Sequence, residues 1–277
     1  MNAAAAERFL AQTAALPTMP EVATKLIRSF DDDNISLGAL AALIGKDSTL
    51  TAKVLRLANS ARYSPSHKID HLQDAAAALG MDTLRNLSLA ASLCGAFPVV
   101  KGLDRSTFWR HSLATATYAS LLCKQLQMDA ETAYLSGLML RTGELLMAMQ
   151  QPDAVAEAET HTARPGSRFE VEQARFDCTH ADVTAKLAAR WHFPDTLVEA
   201  FSHASAPLET RPFNRMGAVL HLAEVLADAV EHHEGATAAL QLVEPELVEH
   251  LHLDLTLLEK MITAAGDVGS EVEALLH

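Results

Sequence analysis

Aromatic residues and cysteine are scarce in this 277-residue sequence: Phe, Trp and Tyr make up 5% of it, and there are three cysteines. Cys94, Cys123 and Cys178 are far apart and odd in number. They form neither a disulfide framework nor a CxxC zinc pattern, so buried free thiols in a reducing cytoplasm are expected. The apolar runs are short and flanked by charge, and none has the length of a membrane span. The first residues, Met1 to Leu16, lack the basic start, apolar core and cleavage site of a secretory signal. Hairpin dipeptides NG and DG are absent, and no segment alternates apolar and polar residues as a strand would. The GxSxG nucleophile elbow, Gly-rich phosphate loops and HExxH are missing too, which removes the commonest hydrolase and nucleotide signatures.

Hydrophobic residues, by contrast, make up 49% of the chain, with Ala and Leu supplying the excess. Strong helix formers in that proportion predict an all-α protein. The spacing agrees. Leu50, Val54, Leu57 and Ala61 follow one helical face, Val183, Leu187 and Trp191 repeat every four residues, and Met216, Val219, Leu220, Ala223, Leu226, Ala227 and Val230 make a wide apolar stripe. Asp47 and Asp104 stand where N-caps are needed. Asp70, with Gln73 three residues on, reads as a capping box. Pro- and Gly-bearing breaks divide the chain into about a dozen helices. The break FPVVKG, Phe97 to Gly102, also separates two charge regimes. Residues 1–110 carry a net +2 and residues 111–277 a net −15 within the total of −13. The acidic part argues against a nucleic-acid footprint. The basic residues Lys53, Arg56, Arg62, Lys68 and Arg85 are most simply a solvated helix face.

Thirteen histidines invite a search for metal sites. His67 and His71 are four apart, but the expected cap at Asp70 puts His67 outside the helix. His232 and His233, and His250 and His252, do not share a face, so both pairs read as polar surface.

Longer strings carry a family resemblance. LPTMPEVATKLIRSFDDDNISLGALAALIGKDSTLTAKVLRLANSARY (Leu16 to Tyr63), IDHLQDAAAALGMDTLRNLSLAASL (Ile69 to Leu93), FWRHSLATATYASLL (Phe108 to Leu122) and HADVTAKLAARWHFPDTLVEAFSHAS (His180 to Ser205) together resemble an HDOD domain. The motifs LPxxP, DxxLTAKxLRLANSA and LG…LRNL occur in order and at sensible spacing. The resemblance implies an HDOD module over 16–212, with an N-terminal helical lobe at 16–96 and an HD-like lobe at 104–212. Residues 213–277 are then a helical extension packing on the second lobe.

HDOD modules are related to the HD metal-dependent phosphohydrolases, in which a first His, a His-Asp pair and a later Asp bind metal. Matched position by position, the first His falls on His111, the His-Asp pair on Leu140-Arg141, the following Gly on Gly143, and the later carboxylate near Glu224. Leu has no donor atom and Arg is a permanent cation, so the resemblance implies a degenerate site holding no metal or other cofactor. Arg141 and Glu144, in the run LMLRTGELLM, are three apart and should pair at the surface or along the cleft. The candidate residues of the relic cleft are His111, Arg141, Glu144, His180, Asp182 and His203. A structural role competes for two of them, with His180 opening a helix and Asp182 serving its N-terminal dipole. Arg56, Asn59, Arg85 and Asn86 have two readings: ties and caps within the first lobe, or an interaction face for a partner or a phosphate.

The leading expectation is a non-catalytic, stand-alone signal-transduction adaptor in the cytoplasm that binds other signalling proteins. A second is a sensor of a small molecule or cyclic dinucleotide in the relic cleft. A residual metal-dependent phosphohydrolase is the third.

Overall fold

The computed structural model describes residues 3–11, 17–30, 32, 34–60, 63, 68–162, 164–209, 211–231, 236–266, 272 and 276. His67, His232, His233, Leu16 and Arg62 lie outside them. Among the described residues all regular structure is helical, as expected, and none of the helices is long and apolar enough to cross a membrane.

The first lobe comprises α2 (Glu21–Arg28), α3 (Leu37–Ile44), α4 (Ser48–Ala58), α5 (Leu72–Leu79) and α6 (Met81–Ala96). Its helices gather around α6. Leu26, Ile27, Leu40, Ile44, Val54, Leu57 and Leu84 are all buried, the apolar face that the helical spacing predicts. Asp47 caps α4 through the Leu50 N–H at 2.9 Å, and Ser36 caps α3 through that of Ala39. Asn59 closes α4: its Nδ2 donates to the Leu55 and Ile69 carbonyls at 2.7 and 2.8 Å, and its Oδ1 accepts the Ile69 N–H at 2.8 Å. That clamp holds Ile69 just outside the next helix, which begins at Leu72, so Asp70 is not at its start. The expected capping box at Asp70 does not form. His71 is the N-cap of α5 without a side-chain bond, and Asp70 pairs with Lys68 at 2.9 Å instead.

The 97–104 connection leads to the second lobe: α7 (Arg105–Gln125), α8 (Ala130–Met139), α9 (Thr142–Gln150), α10 (Pro152–Glu159), α11 (Arg168–Phe176), α12 (His180–Arg190), α13 (Asp195–His203) and α14 (Arg215–Glu231). Asp104 caps α7 through the Thr107 N–H at 2.7 Å. The lobe is built on α7, which packs along α8 and α14, while α12 packs on α9 and α13. The lobes meet chiefly where α6 lies against α8. Three further helices, α15 (Ala236–Gln241), α16 (Pro245–Leu251) and α17 (Leu255–Ala265), pack on α14 and α7. The N-terminal helix α1 (Ala3–Ala11) packs not on the first lobe but on α12 and α9 of the second. There Phe9 meets Phe176 edge-on at 6.1 Å and Arg8 donates to the Phe176 carbonyl at 3.0 Å.

All three cysteines are buried free thiols, and burial pushes Cys123 and Cys178 up to about 12, which leaves them unreactive.

Candidate functional site

The run Leu138 to Met147 does not form one continuous helix. The helix α8 ends at Met139, Leu140 caps it, and α9 begins at Thr142. Thr184 of α12 holds this break: its hydroxyl donates to the Leu140 carbonyl at 2.8 Å and accepts the Gly143 N–H at 2.8 Å. The helices approach so closely here that a Cβ on Gly143 would stand 2.2 Å from the His180 carbonyl oxygen. Glycine is required for contact, not for conformation.

The break aims Arg141 inward. Its side chain is 6% exposed, and Nε and Nη2 meet the Glu144 carboxylate at 2.8 and 2.7 Å. Nε is also 3.7 Å from Glu224 Oε1. The expected Arg141–Glu144 pair therefore exists, but inside the lobe. Glu144 is shared with Arg168, whose Nη1 is 3.4 Å away and whose two terminal nitrogens each reach Glu159 at 2.7 Å.

Behind Arg141 stand His111 of α7 and two carboxylates of α14, one turn apart. His111 Nε2 is 3.1 Å from Glu224 Oε1 and 3.7 Å from Asp228 Oδ1. Thr115, one turn along α7, donates to Glu224 Oε2 at 3.1 Å, and the Gly166 N–H donates to Asp228 Oδ2 at 3.0 Å. Burial alone would raise Glu224, but His111, Arg141 and His180 outweigh it and hold the carboxyl far below its usual range. Asp228 is raised, by burial first and by the Glu224 charge in addition. Arg141 is raised: burial and Arg168 oppose its charge, and Glu144, Glu224 and Asp228 prevail.

His180 and Asp182 divide between two roles. Asp182 forms a capping box with Thr179, its Oδ2 accepting the Thr179 N–H at 2.9 Å while Thr179 Oγ1 accepts the Asp182 N–H at 3.2 Å. His180 opens α12, and its ring is fully buried between Glu172, 2.7 Å from Nδ1, and Phe169, stacked at 4.9 Å. Burial opposes its charge, but the Glu172 carboxylate prevails and raises it. His180 Nε2 has no hydrogen-bond partner among the described residues. His203 makes a bond within its own helix, its Nδ1 lying 2.7 Å from the Glu199 carbonyl.

The face of the first lobe needs a correction. Arg85 and Asn86 are buried, Arg85 lying 4.6 Å over the Phe30 ring and 3.6 Å from Asp82, so neither forms part of an exposed face. Asn59 is engaged in the Ile69 clamp. Arg56 alone of the four is exposed.

Sequence reasoning missed Asp228, Arg168, Glu172 and Glu159. Asp228 was available as the residue four after Glu224, one turn along the same helix face. Arg168 and Glu172 have the same spacing on α11, but there a charged pair reads as solvated surface.

His111, Glu224 and Asp228 offer three donor atoms within 4.8 Å of one another, close enough to share a cation. The Arg141 guanidinium borders the same Glu224 oxygen that such an ion would use, and adjacent Leu140 has no donor. Where the resemblance places a His-Asp pair, this chain has an apolar residue and a cation, and neither side chain offers a metal a ligand.

An all-helical two-lobed chain with an ion-paired cluster at this position is an HD-related fold. The HDOD domain model matches residues 16–207, and the chain belongs to that family. Over its whole length it is similar to a Shewanella amazonensis SB2B protein whose name proposes a phosphohydrolase (26% identity, TM-score 0.82, 100% of this chain and 99% of that one). An HDOD domain protein of unknown function from Geobacter sulfurreducens has the same fold (23% identity, TM-score 0.79, 99% and 97% covered). A curated relative, an uncharacterized protein of Treponema pallidum (strain Nichols), is 27% identical over 206 residues. That match takes in 71% of this chain and 40% of the relative, so the chain spans about two fifths of its length. The family match stops at residue 207, yet Glu224 and Asp228 come from α14 beyond it. That helix is integral to the second lobe rather than an addition to its surface.

Proposed function

We propose that this chain is a non-catalytic regulatory module, an adaptor in signal transduction that works by binding other proteins in the cytoplasm. HDOD family membership supports the regulatory role. The observation that carries the non-catalytic reading is the Arg141 guanidinium, 2.7 Å from Glu144 and 3.7 Å from Glu224. Metal-dependent hydrolysis needs an ion with an open position to activate water. Here an immobile internal cation neutralises the carboxylates that such an ion would hold. Unlike a metal, a guanidinium has no vacant site and cannot deliver a bound hydroxide. The phosphohydrolase of the Shewanella protein's name is a reading of that protein. The acidic second lobe favours partners with a basic surface, because complementary charge speeds and orients encounter.

The test is metal analysis and phosphoester turnover on purified protein dialysed against manganese, iron or zinc. The expected result is substoichiometric metal and no turnover. Stoichiometric metal together with hydrolysis that His111→Ala abolishes would overturn the reading. In parallel, cross-linking in the native cell should give the same specific protein partner in repeated captures. Loss of that partner with Arg141→Ala, if the variant is folded, would place the ion cluster in the interaction.

A further inference from the structure

A pocket of about 270 Å³ opens beside Arg141, where the chain passes from the first lobe to the second. The 101–104 loop, the start of α7, Arg141 with one face of α9, and one face of α10 from Pro152 to Glu159 enclose it. Its walls are apolar, with Leu103, Phe108, Ala148 and Val155 among them. The volume exceeds the cavity of about 150 Å³ that takes up benzene and falls just short of the range of about 300–1,000 Å³ for drug-sized ligands. One ring with one functional group fits. A cyclic dinucleotide, with two bases, two sugars and two phosphates, does not.

The polar groups of the pocket decide the sign of its ligand. Three carboxylates line it, and each is already committed. Glu144 is shared by Arg141 and Arg168, Glu159 takes both terminal nitrogens of Arg168, and Asp104 caps α7. Two cations line it with capacity to spare. Arg141 is engaged through Nε and Nη2, and its Nη1 has no partner among the described residues. Lys101 at the rim is exposed and makes no ion pair among them. The uncommitted donors are thus positive. Arg141 is also held in place by Glu144, with Phe108 5.9 Å from its Cζ, so binding would cost little ordering.

We propose that this pocket binds a small organic monocarboxylate. Its planar acid group meets Arg141 Nη1 and Lys101, and its apolar ring or branched chain lies against Phe108, Leu103 and Val155. A carboxylate matches the planar guanidinium. A phosphate dianion would set its second charge against Glu144, Glu159 and Asp104. The pocket shares Arg141 with the ion cluster behind the non-catalytic reading, but its test needs no partner and leaves Arg141 unchanged.

The test is fluorine NMR of 4-fluorobenzoate and its neutral analogue 4-fluorobenzamide, each at millimolar concentration with the full chain. The benzoate line is expected to broaden on adding protein, and the amide to bind about tenfold more weakly, as the loss of a charge-assisted contact requires. Lys101→Ala should weaken benzoate several-fold. Ala156→Trp fills the pocket from an exposed position on α10 and should abolish binding while leaving the melting temperature within a few degrees. No protein-dependent broadening of 4-fluorobenzoate, equal binding of the amide, or unchanged binding to a folded Ala156→Trp variant would each overturn the proposal.

Discussion

The two lobes solve the burial of polar residues in opposite ways. In the first lobe, buried polar groups act locally: Asn59 closes a helix and clamps Ile69, Ser88 and Ser92 bond back to carbonyls one turn earlier, and Arg85 covers an aromatic ring. In the second lobe, His111, Arg141, Glu144, Arg168, Glu172, His180, Glu224 and Asp228 come from five helices and meet inside. Charge in the first lobe stays mainly at the surface. In the second it forms an interior network in which each member makes the burial of the next tolerable.

The widest separation between the lobes should come from Arg141→Ala. It leaves Glu144 and Glu224 buried without their shared cation, a loss of about 3–5 kcal/mol by urea denaturation. Arg56→Ala, an exposed arginine of the first lobe, is the control and should change stability by no more than about 0.5 kcal/mol. If the two variants melted alike, the contrast between local and networked charge would fail.

Next in size is Gly143→Ala. The added carbon must push α9 from α12 at the His180 carbonyl, an overpacking cost of about 1–3 kcal/mol that a thermal melt would register.

The effect of pH sharpens the comparison further. Glu172 raises His180 in the folded state, so the stability this histidine contributes is complete below its unfolded value of about 6.5 and is lost as pH rises through the raised folded value. The melting-temperature gap between the wild type and His180→Gln should therefore be wider at about pH 6 than at about pH 9. Glu224 has the opposite sign. Its folded value is depressed, so its contribution is present above about pH 4.3 and fades as the solution is acidified. Glu224→Gln should accordingly lose most of its deficit against the wild type in acid, measured by the same melts.

The smallest effect is expected from Asp70→Ala. Asp70 is an exposed partner of Lys68 and not a cap, so the change should stay within about 0.5 kcal/mol, where loss of a true N-cap costs about 1.

The first lobe was legible because its determinants are close in sequence. Helical spacing predicts its buried face, and Asp47 sits three residues from the N–H it caps. Asp70 misled because a remote residue, Asn59, fixes the backbone just before it. In the second lobe, the resemblance to HD proteins brought His111, Arg141 and Glu224 into one argument, and Glu144 followed from helical spacing. The partners Arg168 and Glu172 were invisible. A charged pair on an amphipathic helix looks the same whether it faces water or an interior arginine, and only the packing of α11 decides. For His203, its place in a family-like segment suggests the cleft, while the bond of its ring to the Glu199 carbonyl follows from their spacing of four on one helix.

The docking of α1 has a mechanical consequence. The first lobe begins after a helix bound to the second lobe and ends in the 97–104 connection that returns to it. Lys53 Nζ also donates to the Leu276 carbonyl at 3.4 Å. Any displacement of the first lobe against the second has to disturb the contact of α6 with α8, the main surface the two share.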